Sequence, residues 1–114
     1  MNDTEMSVSS GNVYEDLDTE NAAEMLVKAQ LASTIQDILD SSDLTQTQAA
    51  ELMGLPQPKL SRLLKGQFRG ISEFRMMDCI ARLGRDVRIV IGNGQADVAA
   101  RGRVAVVHDG VAPL

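Results

Sequence analysis

Apolar positions change their period along this chain, and the changes mark its elements. Between residues 20 and 41, Ala23, Leu26, Val27, Ala29, Leu31, Ile35, Ile38 and Leu39 recur at steps of three and four. That period gathers side chains on one side of a helix. Asp18 or Thr19 is placed to cap its start, and Glu20 falls in the first turn, where the helix dipole favours an anion. Ser41-Ser42-Asp43 ends it. Ahead of it, residues 1–12 are polar and predict a loosely held arm. Asn12-Val13-Tyr14-Glu15-Asp16-Leu17 alternates and predicts a short extended segment, so the flexible acidic arm is expected to reach residue 19.

Two short apolar-periodic segments follow. Thr45-x-x-Gln48 has capping-box spacing: the hydroxyl takes the N3 amide and the Gln side chain returns to the cap amide. Ala49, Leu52 and Met53 form the apolar side of that helix, and Gly54 suits a left-handed C-cap. A third helix is predicted from Gln57 to Lys65, with Leu60, Leu63 and Leu64 inward and Lys59, Ser61, Arg62 and Lys65 around the other side. Gly66 ends it, and residues 67–71 read as a loop. Ser72 caps a fourth helix over 73–83, where Phe74, Met77, Ile80 and Leu83 repeat at steps of three and Gly84 closes the run.

Beyond residue 85 the period drops to two. Asp86-Val87-Arg88-Ile89-Val90-Ile91 alternates in the manner of a strand. Gly92-Asn93-Gly94 breaks it, and Val104-Ala105-Val106-Val107 is a weaker second strand within 103–108. The fold class expected is mainly α: a bundle of four to five helices followed by a short C-terminal β-strand or hairpin. The domain spans residues 20–91, with an arm over 1–19 and a tail over 92–114.

Composition narrows the chemistry. A chain of 114 residues makes one domain, and 3% aromatic content without Trp leaves Leu, Ile, Val, Ala and six Met to fill its core. No apolar run is long enough to cross a bilayer. The N-terminus lacks the basic and apolar regions of a secretory signal, and a single Cys, Cys79, forms no internal disulfide. Together these predict a soluble cytoplasmic protein. His108 stands alone; no carboxylate–His, Ser–His or Cys–His constellation, P-loop or metal-ligand cluster is present, so neither an enzyme nor a cofactor is expected. Met76 and Met77 read as core filler, and Cys79 as a small, partly buried residue.

The net charge of −5 hides an asymmetry. Residues 1–53 carry eleven Asp and Glu against one Lys. Residues 54–90 carry Lys59, Arg62, Lys65, Arg69, Arg75, Arg82, Arg85 and Arg88 against Glu73, Asp78 and Asp86. A polyanion would therefore meet a positive surface around the third and fourth helices, whatever the whole-chain charge.

The second and third helices have the parts of a helix–turn–helix. The first braces the DNA backbone, a permissive Gly54 makes the turn, and the second offers hydrogen-bonding side chains to the major groove. Gln57 suits bidentate pairing with adenine, and Lys59 and Arg62 suit guanine acceptors. Ser61 and Lys65 suit phosphates, and Arg69 adds a cation in the following loop. Gln46 opens the bracing helix, where side chain and helix N-terminus together hold a phosphate.

The run L-T-Q-x-x-A-A-x-L-x-G-L-x-Q, continuing to Ser61-Arg62 and Gly66, closely resembles the helix–turn–helix of the Cro/C1 (XRE) family of regulators. The resemblance implies a Cro/C1-type bundle, a phosphate contact at Gln46, and base reading from Gln57, Pro58 and Lys59 and then Ser61 and Arg62. Two residues depart from the pattern. Pro56 stands where many members have a capping Ser or Thr. Pro58 occupies an early helical position that is often small or polar, which reduces its base contact to an apolar touch on a thymine methyl. A narrower resemblance, through Val13–Leu17, Gly70–Arg75 and Leu83–Ile91, is to the HigA-like antitoxin branch. It implies an autorepressor of its own operon that also neutralises a RelE/HigB-like toxin. The alternatives are a stand-alone regulator and an interaction module without DNA binding. Double-stranded operator DNA, a second copy of the chain and a RelE-like toxin are the expected partners, with no membrane. The dimer contact is expected on helix 73–83 together with strand 86–91, whose edge invites pairing.

Overall fold

The computed structural model describes residues 11–94 and 102–109, with side chains from Glu20's successor Asn21 onward. Four helices occur in order: α1 (Gly11–Asp40), α2 (Gln46–Met53), α3 (Gln57–Leu64) and α4 (Glu73–Arg82). The arm over residues 1–10 and the tail over 95–101 and 110–114 lie outside the described residues.

α1 corrects the expected N-terminus. It starts at Gly11, so Asn12–Leu17 is helical rather than extended, and neither Asp18 nor Thr19 is a cap. A helix needs no buried stripe to persist once its C-terminal half is anchored, because each added residue gains a backbone hydrogen bond without a new nucleation cost. The anchor is Leu31, Ala32, Ile35 and Ile38, all buried. Ala23, Leu26 and Ala29, which match the same period, are exposed. The end of α1 is as expected: Ser41 and Ser42 hydroxyls donate to the Ile38 and Leu39 carbonyls.

α2 begins on the full capping box. Gln48 N–H donates to Thr45 Oγ1 at 3.1 Å, and Thr45 N–H donates to Gln48 Oε1 at 3.0 Å. It ends at Gly54, whose φ of 72° is the left-handed conformation that a side chain disfavours. α3 has no side-chain cap. Pro56 occupies the N-cap and Pro58 the second helical position, where a missing N–H costs nothing because that donor has no intrahelical acceptor. Ser72 Oγ accepts from Arg75 N–H and starts α4.

α1 packs on α3 and α4, and α2 packs on α3 and α4. Ile35, Met53, Leu60, Leu63, Met76 and Cys79, drawn from all four helices, are fully buried. The buried side of α4 is Met76, Cys79 and Ile80, whereas Phe74 is 72% exposed and Met77 half-buried. The step-of-three series through Phe74 therefore runs off the core face, because a true helical stripe drifts by alternating steps of three and four. Phe68 and Ile71, in the loop between α3 and α4, close the core instead.

Among the described residues there is no strand. Residues 86–91 and 103–108 run as irregular chain, against the expectation of a strand or hairpin. A strand exists only against a neighbour that completes its ladder, and the described part of this single chain supplies none. Segment 102–109 is instead fastened along α1. Val106 N–H donates to Gln30 Oε1, and Thr34 Oγ1 shares a 2.8 Å hydrogen bond with His108 Nε2. Arg88 makes two hydrogen bonds to the Asp109 carboxylate, at 2.7 and 2.9 Å. No helix among the described residues is long and apolar enough to cross a membrane.

Candidate nucleic-acid interface

The helical period sorts the side chains of α3 before any partner is considered. Leu60 and Leu63 point into the core and are fully buried. Gln57, Pro58, Arg62 and Lys65 are exposed, and Ser61 is partly so. These five fall on one side, since positions i, i+1, i+4, i+5 and i+8 share a face. The structure thus gathers five of the eight residues singled out in the sequence on a single outward surface.

Gln46 joins them from the first turn of α2. Gln57 Nε2 lies 3.5 Å from Gln46 Oε1, a long contact that spans the turn between the two helices. The capping box uses Thr45 and Gln48 to satisfy its own amides, which leaves the Gln46 side chain outside the cap and exposed. An anion there would meet the positive end of a helix dipole and the Gln46 amide group together.

Lys59 is displaced from this face. It is half-buried on the flank of α3, in a shallow cleft that it lines with Pro56, Ile71, Ser72 and Arg75. Arg69 is exposed on the loop after α3, and its backbone is held from behind. Lys28, 4% exposed on α1, donates through Nζ to the Arg69 carbonyl at 3.1 Å and pairs with Glu24 at 3.3 Å. A buried ammonium with a carbonyl and a carboxylate as partners fixes the loop at its base.

Two residues that brace the helix pair from α4 were not legible as such. Arg75, on α4, donates through Nη2 to the Gly54 carbonyl and so clamps the turn of the helix pair. Arg82 lies against the same glycine, where an added Cβ would sit 3.2 Å from its guanidinium, and is itself held by Asp78 at 2.9 Å. Lys28 enters the sequence only as a charge, and Arg75 only as a charge and as the end of the Gly70–Arg75 segment. Their partners lie 41 and 21 residues away, beyond the reach of any local pattern.

No group of three or more metal-ligating side chains occurs among the described residues. Cys79 is fully buried rather than partly so. Burial pushes its thiol up, and Arg75 and Arg82 offset only part of that rise. A protonated, inaccessible thiol is not a nucleophile.

Fold and surface define a helix–turn–helix protein. A family model described as "Helix-turn-helix domain" matches residues 13–92. A solved structure described as "Putative XRE Family Transcriptional Regulator" is 34% identical and superposes with a TM-score of 0.69, covering 77% of this chain and 98% of that one. The chain belongs to the helix–turn–helix family of XRE type. No curated protein matches it.

Proposed function

We propose that this chain is a DNA-binding transcriptional repressor. Residues 20–91 form its reading unit, and α3 enters the major groove of an operator. The observation that carries the reading is the outward face of α3, with Gln46 of α2 joined to it through Gln57. Gln57 and Arg62 contact base edges, Pro58 touches a thymine methyl, and Gln46, Ser61, Lys65 and Arg69 hold phosphates. Lys59 reaches the duplex from the flank of α3. The reading unit acts as a homodimer, because a palindromic operator presents two half-sites one helical turn apart, at ~34 Å.

The chain's own operon is the proposed target, and a RelE/HigB-like toxin the proposed protein partner. Support for the toxin comes from the HigA-like segments Val13–Leu17, Gly70–Arg75 and Leu83–Ile91, all inside the matched region. It comes also from the acidic segment 1–24, which complements a basic partner. Binding of the purified chain to its own upstream DNA and to a scrambled duplex, across a salt series, tests the DNA reading. Selective binding with a steep salt dependence supports it. Equal affinity for both duplexes rejects it. Co-purification with the product of an adjacent RelE-like reading frame tests the toxin; if no such frame lies beside the gene, the stand-alone regulator takes its place.

A further inference from the structure

Lys28 and Thr34 are the polar side chains buried among the described residues, and of the two only Lys28 is charged. An ammonium stays buried only where partners replace its lost hydration. Its partners are the Arg69 carbonyl at 3.1 Å and the Glu24 carboxylate at 3.3 Å. A methionine would fill the same space without a charge to desolvate, so packing alone does not explain the lysine.

What Lys28 holds is the central peptide of a β-turn. Ile71 N–H donates to the Phe68 carbonyl at 3.2 Å, and both side chains are buried, so the turn is pinned at its two ends. Arg69 and Gly70 are its middle residues. Types I and II of such a turn differ by a flip of the peptide between those two residues. Type II needs a left-handed residue at the third position, which a glycine adopts freely. Gly70 is not left-handed here. The turn thus stands unflipped, with the Arg69 carbonyl aimed back at Lys28 on α1. A trans peptide sets its N–H opposite its C=O, and no peptide bond among the described residues is cis. The Gly70 N–H therefore faces away from α1. The shallow cleft that Gly70 lines with Lys59, Ser72 and Arg75 has no α1 residue in its wall. No backbone carbonyl among the described residues accepts from this N–H. A Cβ added at Gly70 would meet nothing within 4 Å, so the approach to it is open.

We infer that Lys28 is a positioning residue for DNA: by holding the Arg69 carbonyl, it aims the Gly70 N–H, beside Lys59, at one phosphate of the duplex. The inference rests on the proposed DNA reading and adds to it a residue that never touches DNA. The ammonium also polarises the peptide it holds, which makes the N–H at the other end a stronger donor. A flipped turn would present a carbonyl oxygen to the phosphate instead and repel it.

The test compares the full chain with a variant carrying Glu24→Gln and Lys28→Met, which keeps the net charge at −5. Nuclear Overhauser contacts without DNA report the turn. The Arg69 and Gly70 amide protons approach each other in type I, and Arg69 Hα approaches the Gly70 amide proton in type II. The wild type should show the first contact and the variant the second. Titration against the operator and the scrambled duplex, across a salt series, reports the phosphate. The variant should bind both duplexes about tenfold more weakly, the loss of one hydrogen bond to a charged group. Its salt slope should stay at the wild-type value, because a neutral N–H displaces no counterion. Lys59→Ala should instead lower the slope by about one. An unflipped turn in the variant, wild-type affinity, or a slope lowered by about one overturns the inference; the last result would mean that Lys28 merely orders the Arg69 cation. Equal binding of the wild type to both duplexes would sink the operator reading and leave this comparison intact, since phosphate contacts also carry non-specific binding. Binding to neither duplex would sink both.

Discussion

The helix pair and the segment after α4 both carry periodic apolar residues and meet opposite fates. In α2 and α3 the side chains Ala49, Ala50, Met53, Leu60 and Leu63 meet the core, and the capping box gives the Thr45 and Gln48 amides local partners. What remains outside is mostly polar, although Leu52 of α2, expected on the apolar side, is 48% exposed. In residues 86–91 the apolar side chains remain outside and the described backbone has no ladder. The difference lies in where the information sits. A capped helix closes its hydrogen bonds within a few residues, whereas a strand closes them on another segment. The first region closes its hydrogen bonds within one chain, and the second has no ladder among the described residues.

Substitutions test this contrast, and the largest effect belongs to the core beneath the helix pair. Leu63→Ala should cost about 2–5 kcal/mol of unfolding free energy in chemical denaturation, because a fully buried Leu leaves both lost transfer energy and a cavity. Lys28→Met should cost about 1–2 kcal/mol: it keeps the buried stem and removes the donor to the Arg69 carbonyl. Thr45→Ala should cost about 1 kcal/mol by opening one side of the capping box. Val90→Thr should change the stability of the dilute monomer by less than about 0.5 kcal/mol, since an exposed side chain loses no packing. It should nevertheless weaken the proposed homodimer, with sedimentation as the readout. A large stability loss in the monomer from Val90→Thr would show that the segment is packed in the single chain and would break the contrast.

The sequence made the middle of the molecule legible and the ends much less so. Thr45, Gln48, Gly54, Ser72 and Gly84 announce element boundaries because each acts within four residues of itself. The exposed face of α3 follows from period except at Lys59, which lies half-buried on the flank. The start of α1 does not, because a solvated acidic helix carries little apolar signal to set it apart from a polar arm. Phe74 was misplaced for a related reason: a series at steps of three resembles a core stripe until the helix drifts past it. Lys28, Arg75 and the fastening of residues 106–109 to α1 depend on contacts dozens of residues apart. The strand over 86–91 has the right residues, and the described chain alone lacks its second half.

The most direct measurement compares two neighbours on the same helix. Arg62→Ala and Lys65→Ala are each titrated against the operator and a scrambled duplex. If the outward face of α3 reads bases, Arg62→Ala loses about 1–3 kcal/mol on the operator and little on the scrambled duplex. Lys65→Ala weakens both duplexes alike and lowers the salt slope by about one. An equal loss on both duplexes from Arg62→Ala would contradict base reading by this face.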